Sequence, residues 1–135
     1  LGKPLQKIQV TVEATVNDDG LLVLSSSAVI GNLDLGGSGA KLLPTQLTVR
    51  GNLHLQNTQI RMLPADLYVT GNLDLLGTEV SIINPGLIVG GDLTLGEETI
   101  SLPKEMQVHG DLYLQHSPVR ELKDGVTVRG RVHGL

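Results

Sequence analysis

From Val29 onward, apolar and polar residues alternate in short bursts, and the bursts return to the same phase about every twenty residues. In "LYVTGNLDL", Leu67 and Val69 alternate with other residues, and Leu73 and Leu75 do so again after Gly71-Asn72. Period-two alternation is the signature of strands with one buried face. The even step through Gly71 and Asn72 keeps the alternation and relaxes the backbone, since Gly and Asn tolerate left-handed or bulged conformations at low cost. The pattern predicts two short strands joined at a corner. The rest of each unit, such as "LGTEVSIINPG", spaces its apolar residues more widely and contains Pro. It is too short for a stable helix, and Pro stops one, so an extended or single-turn segment is expected.

Aligned on each Val, the units cover 29–48, 49–68, 69–88, 89–107 and 108–127, and a truncated sixth, "VRGRVHGL", fills 128–135. Their consensus is V-x-G-[ND]-L-x-L-x-x-[ST]-x-[IV]-x-x-L-P-x-x-L-x. The fourth unit is one residue short, and the letters place the gap between Ile100 and Pro103. No unit can bury its apolar residues alone, so stacking is required. Stacked units put Val29, Val49, Val69, Val89, Val108 and Val128 in one interior column. Leu33, Leu53, Leu73, Leu93 and Leu112 form a second, and Leu35, Leu55, Leu75, Leu95 and Leu114 a third. The expected fold is mainly β, a right-handed solenoid of about five parallel coils, LRR-like or a parallel β-helix. At about 4.8 Å per coil it makes a rod of roughly 24 Å. A set of antiparallel hairpins is the alternative, which the constant return to one phase disfavours.

Residues 1–28 do not carry the repeat. "KIQVTVEATV", "NDDG" and "LLVLSSSAVI" read as two strands around a turn at Asp19-Gly20, an N-terminal capping β-hairpin over the first coil. At the other end the repeat loses a Leu, because Gly134 stands seven places into the last unit. A chain that opens on Leu1 and ends within a unit is read as a fragment, so a catalytic domain outside it is left open.

Composition narrows the function more than the fold. The core alphabet is Leu, Val and Ile, with no Cys, Trp or Phe and only two Tyr; such stiff aliphatics suit thin stacked layers. A net charge of -4 argues against nucleic acid, which needs clustered Lys and Arg, and, less strongly, against an anionic membrane surface. No apolar run reaches the roughly 18 to 20 residues of a membrane span, and "LGKPLQKIQV" has no signal-like apolar stretch. His54, His109, His116 and His133 lack metal-ligand spacing, and no nucleophile has an assignable base. Neither a metal, a cofactor nor an enzymatic activity is expected of the chain.

At Leu53-His-Leu-Gln-Asn-Thr58-Gln-Ile60-Arg-Met-Leu63-Pro64 the unit resembles a short leucine-rich repeat of the bacterial Leu-Pro type found in secreted effectors. The resemblance covers about residues 29–127. It implies a protein-recognition surface, sometimes beside a separate catalytic domain, and a bacterial effector that is secreted or a bacterial cytoplasmic protein. It also implies a polar ladder that bonds exposed backbone, carried over here to Ser38, Thr58, Thr78, Glu98 and Ser117. The chain departs from the family in Val-x-Gly-Asn, an extra strand and corner. An open horseshoe and a three-sided β-solenoid both stay open on that ground.

A regular scaffold varies only on its outward positions, so those are the candidate partner-binding residues. One outward column is Asp34, His54, Asp74, Thr94 and Tyr113, flanked by Asn32, Asn52, Asn72, Asp92 and Asp111. It reads as a mildly acidic strip with an aromatic anchor, suited to a basic protein. The bland reading of the flanking Asn and Asp is that they satisfy backbone groups at the corners. The neighbouring face offers Arg50, Tyr68 and His109. The function expected is a non-enzymatic protein–protein interaction module. Its alternatives are a structural solenoid associating edge to edge, and the binding domain of a larger enzyme.

Overall fold

The computed structural model describes residues 3–4, 9–10, 14–25, 28–36 and 38–134. Short strands β1 (Lys3–Pro4), β2 (Gln9–Val10), β3 (Ala14–Val16) and β4 (Leu22–Leu24) precede the repeats. β3 and β4 form an antiparallel hairpin, with Val16 opposite Leu22, and β1 pairs with β3. The turn is built by Asn17, whose Oδ1 accepts the N–H groups of Asp19 and Leu21 at 2.9 and 3.0 Å. The rest of the expected cap, residues 1–2, 5–8, 11–13 and 26–27, lies outside the described residues. The run at 21–30 is not one strand. It yields β4, then a bend at Ser25 and the start of β5 (Ala28–Asp34), the long strand of the first coil. The hairpin is tied to that coil, since Gly20 accepts the N–H of Lys41, Leu22 donates to Leu42, and Leu22 is fully buried. β2 runs antiparallel beside β5.

Each later unit contributes two strands, as the alternation requires. In chain order they are β6 (Thr48–Arg50), β7 (Leu53–His54), β8 (Tyr68–Val69), β9 (Leu73–Asp74) and β10 (Leu87–Val89). Then follow β11 (Leu93–Thr94), β12 (Met106–Val108), β13 (Leu112–Tyr113), β14 (Val126–Val128) and β15 (Val132–His133). Even-numbered strands β6 to β14 stack in parallel as a first sheet, and odd-numbered strands β7 to β15 as a second. β5 is long enough to open both. The array is therefore a parallel β-solenoid, and the antiparallel-hairpin alternative is excluded for the repeats. The Val-x-Gly-Asn insertion accounts for the second sheet, because it adds one strand and a corner to every unit.

Register follows the repeat. Val49 aligns with Val69, Val69 with Val89, and Val89 with Val108, while Leu53, Leu73, Leu93 and Leu112 align on the second sheet. The Val column from Val29 to Val108 and both Leu columns are solvent-free. The third side of each coil has almost no strand pairing beyond isolated bridges, yet it closes the core with Ile60, Val80, Leu63, Ile83 and Leu102.

Coil four departs from the letter alignment. Ser101 is bridged to Ile82, and Leu102 is buried in the position that Ile83 holds in coil three. The missing residue is therefore in the turn after Leu95, not between Ile100 and Pro103. Gly96 permits the tighter turn, since a Cβ there would stand 2.3 Å from the carbonyl oxygen of Leu75. Thr99 takes the inward place of Val80, fully buried, and its hydroxyl donates to the Val80 carbonyl at 2.8 Å. Ile100, which the consensus aligns with Ile60 and Val80, faces solvent.

Candidate interaction surfaces

The corner between the sheets shows what Gly-Asn is for. Asn32 Oδ1 accepts the N–H of Asn52, Asn52 that of Asn72, and Asn72 that of Asp92, at 2.8 to 2.9 Å. Asp92 and Asp111 continue the file onto Asp111 and Arg131. Each side chain thus satisfies a backbone donor of the next coil, which a bend in a strand would otherwise leave unpaired. The corner column is structural, as the bland reading of it holds. The polar column implied by the leucine-rich-repeat resemblance does bond backbone at Ser38, Thr58, Thr78 and Ser117, within each coil and not from coil to coil. Thr58, Thr78 and Ser117 are buried, and their hydroxyls donate within their own coil, to Leu55, Leu75 and Leu114. Glu98 is exposed and does not belong to the column; Thr99 is inside instead.

The glycines of the corner serve the same ladder. Only Gly31 among them has a positive φ, 108°, so backbone tolerance is not the general reason for them. A Cβ on Gly71 would meet Asn52 Oδ1 at 2.3 Å and the Gly51 carbonyl oxygen at 2.7 Å. Gly91, Gly110 and Gly130 face the same contact from Asn72, Asp92 and Asp111. Glycine stands here because the neighbouring coil's ladder oxygen occupies the space.

The eight candidate residues fall on two faces. Asp34, His54 and Asp74 are direct neighbours on the second sheet, and Thr94 and Tyr113 continue the file. All five are half-buried. Asp34 and Asp74 each use one oxygen locally, accepting the N–H of Gly36 and Leu76 at 2.9 Å, and Asp74 also accepts from the Gln56 amide. Arg50, Tyr68 and His109 lie on the first sheet instead. Arg50 and Tyr68 are exposed in neighbouring strands, and His109 extends from β12 with its Nε2 3.4 Å from Gln107 Oε1. The candidates are therefore not one site.

The column on the second sheet extends one coil further than the sequence reading took it. Tyr113 pairs in register with His133, and their rings stack at 4.5 Å between centroids and 6° between planes. His133 Nε2 also lies 3.1 Å from Asp111 Oδ2. The N–H of Arg131, and then His133, hold the Asp111 carboxyl below its ordinary value. Desolvation, followed by the charges of Asp111 and Asp92, pushes the Tyr113 phenol up. The twenty-residue step from Tyr113 is the signal that would have found His133.

The carboxylates are unevenly placed between the faces. Strands β6, β8, β10, β12 and β14 contain no carboxylate, and the first sheet presents Arg50, His109 and Arg129. The second sheet presents Asp34 and Asp74 with His54 and His133, and the corner between the sheets presents Asp92, Asp111 and Arg131. Among the described residues no helix is long and apolar enough to cross a membrane, and no group of three or more His, Asp or Glu is placed to hold a metal ion. The chain matches no known family model, no curated protein and no solved structure.

Proposed function

We propose that this solenoid is a non-enzymatic protein-interaction module whose second sheet receives a basic, extended segment of a protein partner. The placement of carboxylates carries the reading: Asp34 and Asp74 lie on the second sheet and Asp92 and Asp111 at the corner beside it, while strands β6, β8, β10, β12 and β14 of the first sheet have none. Asp34 and Asp74 stand two coils apart on a rigid surface, about 10 Å at about 4.8 Å per coil, a fixed pair of negative charges within reach of a cationic side-chain series. Tyr113 supplies an aromatic contact at one end of the file, with one ring face already stacked on His133. The Leu-Pro step at Leu63-Pro64 is what favours a bacterial secreted-effector setting, and it bears on the setting alone.

The charge can be removed without touching the scaffold. In Asp34→Asn/Asp74→Asn the amide oxygen still accepts the N–H of Gly36 and Leu76. Fluorescence anisotropy with a labelled Lys/Arg-rich peptide of about ten residues is expected to show binding by the wild type that weakens with salt. The double variant should bind about tenfold more weakly, with a flatter salt dependence. No binding by the wild type, or equal binding by the variant, overturns the reading.

A further inference from the structure

The file on the second sheet has a spacing as well as a charge. Asp34, His54, Asp74, Thr94 and Tyr113 pair in unbroken register, so the file runs along the rod. Asp34, Asp74 and Tyr113 stand on coils one, three and five, at steps of about 9.6 Å. The backbone beneath them is already bonded coil to coil, as from Leu33 N–H to Asn52 and from Leu53 N–H to Asn72. A chain lying along the file therefore meets side chains alone, and its own side-chain spacing decides whether it fits. Among the described residues, Asp92 and Asp111 flank the file at the corner and Glu97 on its other side. Arg131 stands past Tyr113, at the coil-six end. The Tyr113 and His133 rings are parallel at 4.5 Å, close to the coil spacing of about 4.8 Å, so their planes lie across the rod. The face of Tyr113 that His133 leaves uncovered is turned toward coil four, where the side chain is the small Thr94.

Side chains on one face of an extended strand recur about every 6.7 Å, so those at about 6.7 and about 13.4 Å miss Asp74 by about 3 to 4 Å. An α-helix returns to one face after seven residues, about 10.5 Å, and is about 1.8 Å out of step by coil five. A polyproline II helix has three residues per turn at about 3.1 Å each, a pitch of about 9.3 Å, and is about 0.6 Å out over the same span. Resting on the basic-segment reading above, we propose that the segment received by the second sheet is a polyproline II helix lying along the rod, with cationic side chains three residues apart over Asp34, Asp74 and Tyr113. Each carboxylate oxygen has two acceptor sites, so the bonds from the Gly36 and Leu76 N–H groups persist when a cation docks. The third cation falls slightly short of coil five, against the uncovered face of Tyr113 and beside Asp92 and Asp111. That contact favours arginine, whose planar group stacks on an aromatic face. A polyproline II helix has no internal hydrogen bonds and is preformed, which suits a surface that offers side chains alone.

Fluorescence anisotropy of the whole chain with labelled peptides tests the register. Arg-Pro-Pro-Arg-Pro-Pro-Arg sets all three cations on one face of the helix. Arg-Pro-Arg-Pro-Pro-Pro-Arg has the same composition and turns the middle cation about 120° away. The first should bind about tenfold more tightly than the second. Asp74→Asn, which keeps an acceptor for the Leu76 N–H, should reduce that preference to within about twofold. Arg-Thr-Arg-Thr-Arg, spaced for an extended strand, should bind about tenfold more weakly than the first peptide. Equal binding of the two proline peptides, tighter binding of the alternating one, or a preference that survives Asp74→Asn overturns the proposal and leaves the basic-segment reading standing. Failure of all three peptides to bind overturns both.

Discussion

At Gly71 a single hydrogen atom stands where a methyl group would collide with the Asn52 side chain and the Gly51 carbonyl of the coil below. Gly71→Ala should therefore lower stability by about 1 to 3 kcal/mol through overpacking. Gly39→Ala, with nothing within 4 Å of the new Cβ, should stay within about 0.5 kcal/mol. Urea unfolding midpoints of the two variants separate steric necessity from a general cost of losing glycine. The carboxylate at the last corner adds a pH signature. The folded-state pKa of Asp111 lies below 3.8, so its contribution is complete above that value and is lost as pH falls through the lowered one. Asp111→Asn keeps an oxygen for the Arg131 N–H and should flatten the acid limb of a thermal-melting profile below about pH 4. The Gly-Asn pair was legible as a corner from its recurrence. The role of Asn as a partner for backbone groups was legible too, but the reason for Gly was not, because the distance between adjacent coils is a tertiary quantity.

The strands of each coil follow from alternation, and every Val and Leu column predicted to face inward does so from coil one to coil five. The exception is instructive. Ile60 and Ile100 occupy the same letter of the consensus, yet Ile60 is fully buried and Ile100 faces solvent. Ile60→Ala should cost about 2 to 5 kcal/mol by transfer and cavity, and Ile100→Ala should stay within about 0.5 kcal/mol. Chemical denaturation of the pair decides between the letter alignment and the register in which Thr99 is inside. The two readings of the gap keep the same apolar count, so periodicity could not choose. What chose was the pairing of Ser101 with Ile82 and the room that Gly96 leaves beneath the Leu75 carbonyl. Consecutive apolar residues at Leu42-Leu43, Met62-Leu63 and Ile82-Ile83 were likewise visible in the sequence. Only one of each pair can face a core on an extended segment, and the other is left outward.

For the molecule as a whole, the repeat determined a stack of coils with aliphatic interior columns, because a unit of twenty residues cannot exclude water from its own Val and Leu. Alternation also determined which letters point outward, and the eight candidate residues stand at outward or half-outward positions. It could not say that they divide between two sheets, since that depends on where the corner turns the chain. Nor could it show the carboxylates of the second sheet and of the corner lying beside one another. Those properties arise from residues nineteen or twenty apart becoming neighbours about 4.8 Å apart. Sequence periodicity records which side chains must avoid water. The tertiary structure alone decides which exposed side chains share a surface, because that depends on the angle at each corner and the register between coils.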